Sequence, residues 1–324
     1  MKSFTLVSGH TMPAVGLGTW QSDPGVVGQA VKDAIALGYR HIDCAAIYGN
    51  EPEIGAAFAD IFKGDADSLS REDVFITSKL WNTMHAAESV EPALTQTLTD
   101  LGLSYLDLYL IHWPVAIDAE TTKFVSLEDM PIAATWKAME ACVDKGLVRD
   151  IGVSNFSVKK LKELLETARI KPSVNQVERH PYLQNPELID FCKANGIRLT
   201  AYSPLGTRGT TLPNQGEPGT HILDDDVITA IAAKHGATPA QVLISWAVEC
   251  DTVVIPKSTK KHRLEENLAS LMNVVLDADD VAKIKAIDQH SRYLDGSFWT
   301  GESSPYTIEN LWDEAEPVAT GDEL

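Results

Sequence analysis

Runs of β-branched and aliphatic residues alternate with amphipathic stretches of helical period from residue 14 to residue 255. Eight runs read as strands: 14–18 (AVGLG), 39–45 (YRHIDCA), 73–80 (DVFITSKL), 106–112 (LDLYLIH), 149–155 (RDIGVSN), 173–179 (SVNQVER), 198–203 (RLTAYS) and 252–256 (TVVIP). Between them, Val26, Val27, Ala30, Val31, Ala34 and Ile35 recur at helical spacing. So do Ile54, Ala57, Phe58 and Ile61, and then Val90, Leu94, Leu98 and Leu101. Each stripe is wide enough to cover one face of a sheet. Eight such units predict a closed α/β barrel of parallel strands, the (β/α)8 or TIM barrel. An open doubly wound sheet would carry a GxGxxG loop after its first strand, whereas Gly16 and Gly18 lead into Thr19 and Trp20 with no third glycine at the required step.

The flanks add to this plan. FTLV and TMPAV on either side of Ser8-Gly9-His10 predict an N-terminal β-hairpin that plugs the barrel's lower end. The Gly/Pro/Thr-rich stretch 206–221 is too long for a simple connection and reads as a functional loop. After Ile287, Tyr293, Phe298, Trp299, Tyr306 and Trp312 stand among polar residues and read as an ordered C-terminal flap, a substrate-binding loop. With no low-complexity linker in view, residues 1–324 read as a single domain.

Composition narrows the setting. The 44% hydrophobic fraction of the 324-residue chain is ordinary for a soluble globular protein. The N-terminus lacks the pattern of a signal peptide, and no uninterrupted apolar run approaches ~18 residues, so a cytoplasmic location is expected and membrane spanning is not. The terminal GDEL matches a luminal retention signal only by chance, because such an address needs an entry signal. Cys44, Cys142, Cys192 and Cys250 lack CxxC or Cys/His ligand spacing and read as buried thiols. A net charge of −19 argues against nucleic acid and anionic membranes as partners. One segment opposes that balance: Lys257, Lys260, Lys261, His262 and Arg263 crowd into seven residues and would form a local anion well.

Four residues carry candidate chemistry. Asp43, Tyr48, Lys79 and His112 lie in IDCAAIY, FITSKLW and YLIHWP, at or just past the ends of apolar strands. Successive parallel strands would bring them to one rim, the reaction face of such a barrel. Singly, each has a structural explanation: a loop cap, partly buried packing, a solvated charge and a core histidine. Together they suit proton transfer to a carbonyl oxygen. A free tyrosine ionises near ~10, so it needs a neighbouring cation that favours its phenolate. Lys79 would supply that cation, Asp43 would hold it, and a neutral His112 would orient the carbonyl oxygen toward Tyr48. These residues make a poor divalent-metal shell, and no metal is expected.

With these residues in place, the chain resembles the aldo-keto reductase family. MPAVGLGTW, GYRHIDCAAIYGNE, FITSKLW, YLDLYLIHWP, IGVSNF, NQVERHPYL, AYSPLG and IPKS, with Arg263, Glu266 and Asn267 behind, occur in that family's order and spacing. The resemblance implies an (α/β)8 barrel, an extended NADPH across the carboxyl rim, and reversible hydride transfer to aldehydes or ketones. It maps the catalytic tetrad onto Asp43, Tyr48, Lys79 and His112. It places the cofactor at Thr19, Trp20 and Asp43, with Ser154, Asn155 and Gln176 at the carboxamide and Tyr202 stacked beneath the nicotinamide. Ser203 and Leu205 would line the pyrophosphate path, Lys257, Ser258 and Arg263 the 2′-phosphate, and Glu266 and Asn267 the adenine. NADPH is expected over NADH, a weaker alternative. Some members of the family latch the loop over the cofactor with a lysine after the Trp20 position; here Gln21 stands there and Arg208-Gly209 where the acidic partner would be, so cofactor release that is faster or gated otherwise is expected.

Trp20, Trp81 and Trp113 follow strand ends, and Phe298 and Trp299 could reach the same mouth, forming with Tyr48 and His112 an aromatic pocket for a small carbonyl compound. Which carbonyl compound depends on the tail and on the loop 115–130; whether the protein is a monomer or a dimer is not legible. Two rival readings are a barrel lyase with a Schiff base at Lys79 and an NADPH-binding regulatory module of slow turnover.

Overall fold

A computed structural model describes residues 2–64, 69–207 and 221–314. The hairpin forms first: β1 (Ser3–Thr5) pairs antiparallel with β2 (Thr11–Pro13). Eight parallel strands follow, namely β3 (Leu17–Gly18), β4 (His41–Asp43), β5 (Phe75–Leu80), β6 (Leu106–Ile111), β9 (Val148–Ser154), β10 (Val174–Glu178), β11 (Arg198–Tyr202) and β12 (Thr252–Val254), each beside its predecessor. The first and last meet: Gly16 N donates to Val254 O (2.8 Å) and Val254 N to Ala14 O (2.9 Å), closing the sheet on itself. The remaining strands, β7 (Ala116–Ile117) and β8 (Phe124–Val125), pair with each other in a small hairpin after β6.

Strands β5 and β6 are buried along their whole length, because one side of each faces the barrel interior and the other faces helices. The helices are α1 (Val27–Leu37), α2 (Glu51–Ile61), α3 (Ala87–Leu101), α4 (Ile132–Asp144), α5 (Val158–Thr167), α6 (Pro186–Asn195), α7 (Asp226–His235), α8 (Pro239–Glu249), α9 (Lys261–Leu268), α10 (Ser270–Asn273), α11 (Ala278–Lys285) and α12 (Ile308–Trp312). Neighbours pack in a ring, α1 through α6 in sequence, with α8 on α9 and α9 back on α1. The stripes anticipated for α1 to α3 face inward, except that Val26 caps α1 with a partly exposed side chain and Ile61 is half-buried. Helices α2 and α3 come close because Gly55 lacks a Cβ that would collide with the Asp100 carbonyl oxygen.

The N-terminal hairpin lies against the amino ends of the strands. Met12 is fully buried, His10 Nδ1 meets Asp150 Oδ2 at 2.6 Å, and the Arg198 guanidinium covers the Phe4 ring. At the opposite end Trp113, Val115, Leu294, Trp299, Tyr306, Leu311 and Trp312 form a second apolar cluster. The tail therefore packs over the mouth. Cys44, Cys142 and Cys192 are buried thiols and Cys250 is half-buried. No helix among the described residues is long and apolar enough to cross a membrane.

Candidate active site

The four candidate residues meet at the carboxyl end of the barrel. Asp43 ends β4, Tyr48 ends a 3-10 turn (Ala46–Tyr48), Lys79 is the penultimate residue of β5, and His112 follows β6. Lys79 is wholly buried, and its Nζ donates to Asp43 Oδ1 (2.5 Å), Cys44 O (2.8 Å) and Tyr48 Oη (3.4 Å). The second Asp43 oxygen accepts from Gln176 Nε2 at 2.7 Å. His112 lies edge-on to Tyr48 and to Trp81, with ring centroids 5.8 and 5.2 Å away. Its buried Nδ1 has no hydrogen-bond partner among the described residues.

Burial sets the protonation states. It would pull the Lys79 ammonium down, but the Asp43 carboxylate and the Tyr48 oxygen reverse this and leave its pKa above the ordinary lysine value. Burial pushes the Tyr48 phenol up to about 12, with Lys79 pulling part of the way back. The expectation that Lys79 favours the phenolate has the right sign, but desolvation is larger, and the phenol keeps its proton at neutral pH. His112 falls well below the usual imidazole value through burial, then through Lys79 and His85, and stays neutral.

A cavity of about 580 Å³ runs from these residues along the rim. Its mouth is walled by Trp20, Trp81, Trp113, Phe298 and Trp299, the five aromatics expected there. Thr19, Ser154, Asn155, Gln176, Tyr202, Ser203, Leu205, Lys257 and Arg263 also line the cavity. Asn155 Nδ2 donates to His112 O (3.0 Å) and Ser154 Oγ (3.2 Å), while Asn155 Oδ1 accepts from Tyr202 Oη (2.7 Å). Asn155 and Ser203 hold left-handed backbone at φ 64° and 47°. Such conformations in non-glycine residues gather where a site demands a particular side-chain direction.

The basic segment divides. Lys257 Nζ donates to Gln21 O at 2.8 Å. Glu266, in contrast, turns its carboxylate to Thr238 Oγ1 (2.7 Å), Asn267 is buried, and Ser258 Oγ accepts from Lys260 N (3.1 Å). Of the loop 206–221, residues 208–220, including Arg208, lie outside the described residues; Gly206, Thr207 and His221 line the cavity. Ile47, Leu223 and Leu294 also line it and were missed from sequence. Ile47 directly precedes Tyr48, and that adjacency was the available signal. Leu294 is placed by Glu178, whose carboxylate accepts from the Tyr293 and Leu294 backbone N–H groups, a contact 116 residues away in sequence with no local pattern.

Residues 14–289 match the model of the aldo/keto reductase family. The chain is 51% identical over 322 residues to an aldo/keto reductase of Synechocystis sp., covering 97% of each. It is 45% identical over 296 residues to human aldo-keto reductase family 1 member A1, covering 89% of this chain and 90% of that one. The structure of the aldose reductase from Schistosoma japonicum superposes with a TM-score of 0.83 at 37% identity, covering 94% of this chain and 98% of that one.

Proposed function

Since the chain belongs to the aldo/keto reductase family, and is by that membership an oxidoreductase acting on small carbonyl compounds with a nicotinamide cofactor, we propose that it reduces aldehydes or ketones to alcohols with NADPH. The observation that carries this reading is the buried chain Asp43, Lys79, Tyr48 beside a neutral His112. A protonated phenol and an uncharged imidazole facing one apolar mouth can together polarise and protonate a carbonyl oxygen.

The cavity fits the cofactor by the chemistry along it. Arg263 and Lys257 in its lining supply cations for phosphate, with Arg suited to bidentate contact. Ser154, Asn155 and Gln176 supply polar groups for a carboxamide, and Tyr202 a ring face. When bound, NADPH supplies the hydride. Trp20, Trp81, Trp113, Phe298 and Trp299 hold the organic body of the carbonyl compound and exclude water. His112 orients the carbonyl oxygen. Tyr48 Oη gives that oxygen its proton, and the Lys79 ammonium stabilises the phenolate left behind. Asp43 holds the ammonium in place, itself fixed by Gln176.

A Schiff base at Lys79 would need a neutral, accessible amine, whereas this ammonium is wholly buried and bound to Asp43. The direct test is loss of reduced-nicotinamide absorbance with NADPH and a panel of aldehydes, ketones and aldoses. Turnover of aromatic or apolar aldehydes is expected. Tight NADPH binding with no turnover on any member would sink the reading and favour a regulatory module.

A further inference from the structure

The turn that carries Tyr48 is anchored three residues further on. Glu51, the first residue of α2, is 2% exposed, and its carboxyl reaches both β5 and α3. Its Oε1 accepts from Ser78 Oγ at 2.5 Å and its Oε2 from Thr97 Oγ1 at 3.2 Å. Ser78 directly precedes Lys79 on β5. One buried carboxyl thereby connects the Tyr48 turn to the neighbour of the residue that Tyr48 must touch. Both donors are neutral hydroxyls, so burial pushes this carboxyl up to about 7. A buried carboxyl so held is a poor source of stability compared with an apolar side chain of similar size. Its position offers a different role.

Further ties from this segment to neighbouring elements flank Tyr48. Upstream, Cys44 N donates to Thr77 O (2.8 Å) and Cys44 O accepts from Lys79 Nζ. Downstream, Asn50 Nδ2 donates to Thr19 O (2.9 Å) just before Glu51. Between them the turn ends in Gly49 at φ 68°, and Ile47 is 47% exposed. The phenol itself meets Lys79 Nζ at 3.4 Å, a long contact that a small shift of the turn would break.

We propose that Glu51 is a positioning residue for carbonyl reduction: its bonds to Ser78 and Thr97 clamp the turn after β4 to β5 and keep Tyr48 Oη within reach of Lys79 Nζ. This rests on the reading of Tyr48 as proton donor. Glu51 is not among the residues that line the cavity, so its loss falls on kcat and spares binding.

The test compares Glu51→Ala, Glu51→Gln and Tyr48→Phe. Glu51→Ala is expected to lose about 10- to 100-fold in kcat with aldehyde KM and NADPH Kd changed by no more than about threefold. Glu51→Gln, which keeps the shape and an acceptor for Ser78, is expected to recover to within about threefold of wild type. In a crystal structure of Glu51→Ala the Tyr48 to Lys79 separation should exceed hydrogen-bond reach. Wild-type kcat with an unmoved Tyr48 in Glu51→Ala would overturn the proposal. A fully active Tyr48→Phe would instead remove the proton-donor reading, and the Tyr48 to Lys79 separation in Glu51→Ala would still decide whether the clamp exists. Should Glu51→Ala not fold, Ser78→Ala removes the 2.5 Å bond while keeping the carboxyl. It is expected to lower kcat and lengthen the same separation, and no change in either would overturn the clamp.

Discussion

Lys79 is a charge taken wholly out of water, and three oxygens, from Asp43, Cys44 and Tyr48, take the place of its hydration shell. A buried ion pair of this kind is strongly destabilising to break, because the remaining charge stays buried and unpaired. Glu51 is the opposite case, a buried carboxyl with hydroxyl partners. Its pKa rises from 4.5 to about 7 on folding, so the native state binds this proton more tightly than the unfolded chain. Stability from this group is therefore full below about pH 4.5 and falls as pH rises to about 7, by about 3 kcal/mol in all. Glu51→Gln removes the titration. The Tm of this variant minus that of wild type should be more positive at pH 8 than at pH 5, and an equal difference at both would contradict the assigned burial effect. At this scale Asp43, Lys79 and His112 were legible as polar groups ending apolar strands. The phenol's high pKa was not, because the depth of burial at Tyr48 depends on distant elements that pack over it.

Elements decide the shape of the mouth. Tyr306 Oη donates to Val125 O (2.6 Å) and accepts from Ala116 N (2.8 Å), joining the tail to the β7–β8 hairpin. Lys160 Nζ, on α5, caps the end of α12 through Asn310 O (2.6 Å) and Leu311 O (3.0 Å) and pairs with Asp313 (2.5 Å). These ties hold Trp299 against Trp113 and Trp81, whose centroids lie 5.7 Å from it. Tyr306→Phe should loosen the mouth by about 1 kcal/mol. Steady-state kinetics with an aromatic aldehyde should show a KM raised severalfold at nearly constant kcat, with NADPH affinity unchanged. An unaltered KM would mean that the pocket walls stand without the tail. The aromatic tail was readable as a flap from its composition. The β7–β8 hairpin was not, since two-residue strands such as Ala116–Ile117 and Phe124–Val125 carry too little alternation to register.

At the scale of the whole molecule, closure of the barrel brings the last strand beside the first, and with it Lys257 beside Gly18 and Gln21. Counting eight strand-helix units was enough to anticipate closure. The strand ends were less legible: Ala14 and Gly16 bond across to Val254 while Leu17–Gly18 pairs with β4, so one apolar run serves two partners. In a chain of net charge −19, Lys257 and Arg263 put a local positive patch in the cavity lining. Arg263→Ala is expected to weaken NADPH binding about tenfold or more and leave NADH nearly unchanged, as a lost charge-assisted phosphate contact requires. Equal losses for both cofactors, measured by fluorescence titration, would place the phosphate elsewhere. The proposed mechanism turns on a protonated Tyr48, held by Lys79, as the proton donor in carbonyl reduction. Single-turnover oxidation of bound NADPH by a saturating aldehyde, in wild type and Tyr48→Phe, tests it most directly. A rate lower by about 10²- to 10⁴-fold is expected in Tyr48→Phe at unchanged cofactor affinity, and an equal rate in the two proteins would rule out Tyr48 as the proton donor.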